Sequence, residues 1–178
     1  MLALVTGEIG CGKTTVCQRA LDLLRARGLT PGGVLSPARL DAKGTKIGID
    51  VLDVMTGERR PLARRVPGGG ETTGDYGFDE RALAWANACL QAAVAAGPGL
   101  LVVDEIGPLE LVRGGGLAAL LKPLADPKAV PHALVIVRRA CVDALNACWA
   151  GPMCAAFGWM RLAGTICLSR SPKGTCPH

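Results

Sequence analysis

Short apolar runs alternate along this chain with longer stretches whose apolar residues recur at helical spacing. LALVT (Leu2 to Thr6) reads as a buried strand. TTVCQRALDLLRARG, just beyond it, carries apolar positions at Val16, Ala20, Leu23 and Leu24, which predicts a helix that Gly28 stops. GGVLS predicts a second strand. IGIDVLDV predicts another, in which Ile47, Ile49 and Val51 alternate with polar neighbours as on a half-exposed surface. ERRPLARRVPGGGETTGDYG has no period, holds a triple glycine and four arginines, and reads as a loop or flap. FDERALAWANACLQAAVAAG resumes helical spacing and ends at Gly97-Pro98. LLVVDE (Leu100 to Glu105) and ALVIV (Ala133 to Val137) are further buried strands, with a short helix, LAALLKPL, after the Gly114 to Gly116 turn. VDALNACW begins another helix, TICLS is a candidate last strand, and SRSPKGTCPH looks like a frayed tail.

Buried strands separated by helices predict an α/β fold, a mostly parallel sheet flanked by helices on both faces. One domain is expected over 1–168, with residues 33–77 as a β-rich insertion after the first helix and 169–178 as a disordered tail. Ligands of such sheets bind at the carboxyl ends of the strands.

Composition narrows the classes. The chain has 178 residues, enough for one ordinary core. It contains no apolar run long enough to span a bilayer, and LALVT lacks the basic flank of a signal peptide. Lys and Arg exceed Asp and Glu by 20 to 15, and aromatic residues are only 3% of the chain. So small an excess, with so few stacking platforms, gives no strong signal for nucleic acid. The eight cysteines (Cys11, Cys17, Cys89, Cys141, Cys148, Cys154, Cys167, Cys176) form no CxxC pair, and the two histidines are His132 and His178. That is not zinc spacing, and the thiols point to a reducing cytoplasm.

Chemistry enters at Gly7-Glu8-Ile9-Gly10-Cys11-Gly12-Lys13-Thr14, which satisfies G-x-x-x-x-G-K-[ST] in full. Glycines let the backbone curl and aim several N–H groups at one anion, and the helix start adds its positive end. Lys13 can reach the β- and γ-phosphates, and the Thr14 hydroxyl can ligate Mg²⁺; Thr15 completes the nucleotide-binding set. This composition gives about 0.01 chance matches in such a chain, so the motif is not an accident of its glycine content.

LLVVDEIGPLEL supplies the complement. Asp104 at a strand end suits the Mg²⁺ shell, and Glu105 directly after it can act as general base on a water. Glu110 is a second candidate base, or simply a helix-start acid.

GEIGCGKTT, GGVLSP and VVDEIGPLEL together resemble the small P-loop nucleoside-triphosphatases first described from thermophiles, relatives of the nucleotide kinases. IGIDVLDVMTGERRPLARR and GDYGFD extend the likeness over residues 1 to 112. The resemblance implies a P-loop NTPase fold and Mg²⁺-dependent hydrolysis of ATP, GTP or other NTPs with loose base preference. Lys13, Thr14, Asp104 and Glu105 match its site residues. After GGVLSP the family places an acid and then an arginine. Here Ala38 and Leu40 hold those positions, with Arg39 one step off.

Arg138 follows ALVIV and should emerge beside Thr6 and Asp104, in reach of a nucleotide. Arg113, flanked by glycines, could swing in. Arg59, Arg60, Arg64 and Arg65 could clamp phosphates or stay solvated, and Tyr76 could stack on a base. Trp85 and Trp149 fit core positions. No LSGGQ signature or N-K-x-D string occurs, which sets aside ABC transporters and dedicated GTPase switches. A hydrolase, a nucleotide or small-molecule kinase, and a nucleotide-dependent switch remain.

Overall fold

The structure, a computed structural model, describes residues 1–65, 76–150 and 162–168. Nine strands form one sheet among the described residues: β1 (Leu2–Gly7), β2 (Pro31–Leu35), β3 (Ala38–Leu40), β4 (Lys46–Asp53), β5 (Arg59–Arg65), β6 (Tyr76–Phe78), β7 (Leu100–Ile106), β8 (Ala133–Val137) and β9 (Leu162–Leu168). Their order is β6-β5-β4-β2-β7-β8-β1-β9, with β3 attached to β4. The block β2-β7-β8-β1-β9 is parallel throughout, and everything beyond β2 is antiparallel. Each parallel strand therefore releases its chain at the same sheet edge.

Alternation along the strands divides the core. Val5 of β1, Val102 of β7 and Ile136 of β8 face helix α1 (Lys13–Ala26), packing against Cys17 and Leu21. Leu4, Val103 and Val135 face the other way, toward helix α2 (Glu80–Ala96) and its Ala82, Ala86, Leu90 and Ala93. Helices α3 (Pro108–Leu111), α4 (Leu121–Leu124) and α5 (Val142–Ala150) belong to the second side. The chain thus adopts the expected α/β architecture with helices on both faces. None of the described helices is long and apolar enough to cross a membrane.

Several expectations need correction. The 33–77 insertion starts too early, because β2 pairs in parallel with β7 and belongs to the central sheet. Gly33 makes that pairing possible: its φ is +113°, and a Cβ there would stand 2.0 Å from the Val102 carbonyl oxygen. The antiparallel region begins only at β3. ERRPLARR is not a flap, since Arg59–Arg65 pair with β4 and β6. A strand flanked by neighbours on both edges draws its order from the ladder, so the absence of apolar alternation concealed it. On α1 the buried residues are Cys17 and Leu21, while Leu23 is exposed. Cys17, Leu21 and Leu24 fit the helical period as well as the set read from sequence, and packing chose between them.

The α2 start has a clear cap. Asp79 Oδ1 accepts from the Arg81 and Ala82 amides at 2.8 and 3.0 Å, and Gly97 ends the helix with φ +62°. On β4, Asp50 is buried against Arg39 (3.1 Å) and Arg59 (3.8 Å), so its alternation is not the half-exposed one expected. Trp85 and Trp149 pack against the larger core. The 169–178 tail, the Gly68 to Gly70 run, Cys154 and Cys176 lie outside the described residues. Cys11, Cys17, Cys89 and Cys141 are free thiols. Burial pushes the Cys17 thiol up to about 12, so it stays protonated as a small core hydrophobe.

Candidate active site

The turn from β1 into α1 is the Gly7–Thr14 loop. Gly10 and Gly12 take φ of +75° and +97°, left-handed values that let the loop wrap back on itself. The Cys11 amide closes it by donating to the Glu8 carbonyl at 3.2 Å. Gly12 precedes α1 without a side-chain cap, and the first helical turn carries no acid. The amides at this helix start are therefore left for an external anion. Lys13 Nζ donates to the Gly7 and Glu8 carbonyls at 2.9 and 3.1 Å, which holds the ammonium over the loop it would serve.

Asp104 joins the loop from β7, although β8 lies between β1 and β7. The Thr14 hydroxyl donates to Asp104 Oδ2 at 2.8 Å, and the Ser36 amide donates to the same oxygen at 3.1 Å. The Ser36 hydroxyl also donates to the Asp104 carbonyl. Asp104 is only 3% exposed, and loss of water raises its carboxyl to about 6. The Ser36 and Thr14 bonds, and the charge of Lys13, restrain that rise, while Glu105 adds to it.

A buried, partly deprotonated carboxylate beside a threonine hydroxyl is a set of hard oxygen donors. Thr14 and Asp104 fit Mg²⁺ on that chemistry, because a divalent cation would relieve the desolvation that burial imposes.

Glu105 turns away from α1. Its Oε1 lies 3.5 Å from Arg138 Nε, and the two side chains are 29% and 49% exposed. Arg138 leaves the end of β8 and crosses the face of Gly107, where a Cβ would come within 3.3 Å of its Nε. Sequence reasoning placed Arg138 on this edge but did not foresee its partner. It missed Ser36 and Arg139 altogether. Ser36 was legible only as the residue ending GGVLS, since its importance depends on β2 lying next to β7. Arg139 sits 3.9 Å from Glu8 of the loop, both well exposed, so adjacent arginines at the end of β8 reach to either side.

Glu110 takes the helix-start role of its two candidate ones. It is 7% exposed, and its two oxygens accept from the Gly107 amide (2.8 Å) and the Leu117 amide (3.2 Å). It closes the start of α3 and pins the segment that follows. Burial raises its carboxyl, and the amide bonds oppose the rise.

The other candidates disperse. Arg60 pairs with Glu58 at 2.8 Å and lies 4.4 Å over the Trp85 ring, while Arg59 faces Asp50. Arg113 is exposed on its turn. Tyr76 takes the Lys46 ammonium at 4.9 Å on β6, six strand positions from β1. At about 4.8 Å per strand that is roughly 29 Å, too far to stack on a base held over the β1 loop.

A glycine-rich turn into a helix, with a carboxylate from across the sheet bonded to its threonine, is the architecture of a P-loop nucleoside-triphosphatase. The comparisons agree. The NTPase family profile matches residues 3–147. The nucleoside-triphosphatase THEP1 of Thermofilum pendens is 36% identical over 129 residues, covering 71% of this chain and 69% of that protein. THEP1 of Methanopyrus kandleri is also 36% identical, over 107 residues that span 60% of this chain and 58% of its own length. The crystal structure of THEP1 from Aquifex aeolicus superimposes with a TM-score of 0.64 at 18% identity, covering 97% of this chain and 91% of the other. At that identity it speaks for the fold alone. The chain belongs to the NTPase family.

Proposed function

We propose that this protein hydrolyses nucleoside triphosphates to the diphosphate and phosphate in a Mg²⁺-dependent reaction, with Lys13 and Glu105 as catalytic residues. The observation that carries the reading is the position of Glu105, next to an Asp104 that is hydrogen-bonded to Thr14 of the loop. The amides of Gly7 through Thr15 and the Lys13 ammonium bind and orient the β- and γ-phosphates. Mg²⁺ held by Thr14 and Asp104 would neutralise charge building on those phosphate oxygens. Glu105 accepts a proton from the attacking water, whose oxygen bonds to the γ-phosphorus as the bond to the bridging oxygen breaks.

Arg138 pairs with Glu105 at the end of β8, the strand next to β1, from where it would meet charge on the transferred group. The loop contacts concern phosphates, and the sequence has no base-reading N-K-x-D string, so purine and pyrimidine triphosphates should both serve. Free thiols at Cys11, Cys17, Cys89 and Cys141 suit a reducing cytoplasm.

The test is phosphate release from ATP, GTP, CTP and UTP, with Mg²⁺ and with chelator. Lys13→Ala should abolish release. Glu105→Gln should lower kcat by about 10²–10⁴-fold while nucleotide still binds. A Glu105→Gln protein turning over at the wild-type rate would falsify the base assignment.

A further inference from the structure

On the α2 side of the sheet, directly against Glu105, lies a cavity of about 90 Å³. Its walls are Ile49 and Val51 of β4, Leu62 of β5, Phe78 of β6, and Leu83 and Ala86 of α2. Val51 and Ala86 are almost wholly buried, while Ile49, Phe78 and Leu83 are half-buried. Asp104, Glu105, Glu110 and Arg138 supply the charged lining. Asp104 is tied to Thr14 and Ser36, and Glu110 to two backbone amides. Glu105 and Arg138 are bound only to each other in the described structure, and both reach solvent.

The apolar part of this chamber does not suit water. An ordered water needs two to four polar partners, and apolar cavities stay dry. It suits a compact apolar body whose one polar group meets the carboxylate of Glu105.

We propose that this cavity is an acceptor site, taking a small alcohol with a ring or branched-alkyl body and presenting its hydroxyl to Glu105 for phosphorylation by the bound nucleoside triphosphate. The proposal rests on the assignment of Glu105 as base. Glu105 takes the hydroxyl proton and the alcohol oxygen bonds to the γ-phosphorus. The bond from that phosphorus to the bridging oxygen breaks, and the nucleoside diphosphate leaves with the electron pair. The products are a phosphate monoester and the diphosphate, and the proton passes from Glu105 to solvent. Hydrolysis is then the same reaction with water in place of the alcohol. Arg138, paired with Glu105 beside the cavity, serves as a positioning residue for either acceptor.

Binding is measured first on nucleotide-free protein, so that a failure of the hydrolase reading cannot mask it. Benzyl alcohol, 3-methylbutan-1-ol and toluene are titrated while the methyl and aromatic NMR signals of Val51, Phe78 and Leu83 are followed. At least one alcohol should shift these signals with a Kd of about 1 mM or tighter, as expected for a well-seated fragment. Toluene, with no hydroxyl, should compete. Leu83→Phe, which fills the chamber, should weaken binding about tenfold or more in a protein whose melting curve remains cooperative. With ATP and Mg²⁺ added, phosphorus NMR of the wild type should show a monoester peak growing at the expense of inorganic phosphate, and Glu105→Gln should lose both peaks. Failure of all three probes to shift these signals at about 20 mM, well above such a Kd, overturns the pocket. Binding with no monoester overturns the acceptor role even if hydrolysis proceeds.

Discussion

Asp104→Asn should stabilise the nucleotide-free protein at neutral pH, although it removes a residue placed at the heart of the site. The Asp104 carboxyl rises from 3.8 to about 6 because burial strips its water. Between those values the native state holds a proton that the unfolded chain has released. Native stability from this group is therefore complete below about pH 4 and is lost as pH rises through about 6. A shift of roughly two units corresponds to roughly 3 kcal/mol of strain in the charged form above pH 6. Asparagine stands in for the protonated acid, keeping an oxygen to accept from Thr14 and the Ser36 amide.

The stability difference between variant and wild type should thus be near zero at pH 4 and reach roughly 2–3 kcal/mol at pH 7. For a chain of this size that is a rise in Tm of about 5–10 °C. Urea unfolding in chelator across pH 4 to 8 measures it directly, and taking the difference cancels titrations common to both proteins. Adding Mg²⁺ with a nucleoside diphosphate should reverse the order, since only the aspartate gains from the cation. Equal stability at pH 7, or a difference that does not change with pH, would refute the electrostatic account of this residue.

Glu110→Gln should separate structure from chemistry. An amide replacing one buried oxygen confronts an N–H donor with another donor, costing about 1–3 kcal/mol in urea unfolding. The kcat of the folded fraction should stay within about twofold of wild type, whereas Glu105→Gln should do the opposite on both measurements. Arg138→Gln should lower kcat by about tenfold or more with little change in Tm, because its ion pair is half-exposed and contributes about 1 kcal/mol or less. An unchanged kcat would confine Arg138 to an ornamental surface pair. Gly107→Ala places a methyl within 3.3 Å of Arg138 Nε and should reproduce part of that loss without removing any charge.

The sequence by itself determined what local physics determines. The glycines, lysine and threonine of the β1 turn have to lie together because they are contiguous, and their pattern specifies a phosphate cradle wherever the fold puts it. Continuous apolar runs at LALVT, LLVVDE and ALVIV likewise could only be buried strands, with the strand-end acids following as a matter of chain order. Glu110 was open between two roles, because a helix-start acid and a general base look alike until their hydrogen-bond partners are known.

Tertiary structure decided what depends on which strand stands beside which. Nothing local to ERRPLARR announces a strand, since its order comes from β4 and β6 on either side. Ser36 bonds Asp104 only because β2 adjoins β7, and Arg138 reaches Glu105 only because β8 separates β7 from β1. The same strand order sets Tyr76 far from the loop that a sequence reader would join it to. The cavity beside Glu105 is the strongest case. Its apolar lining comes from β2, β4, β5, β6 and α2, segments far apart in the chain whose shared feature is apolar bulk. Hydrophobic patterning can say that each of those residues is buried. It cannot say that together they leave a space, because a void is a property of how surfaces fail to meet.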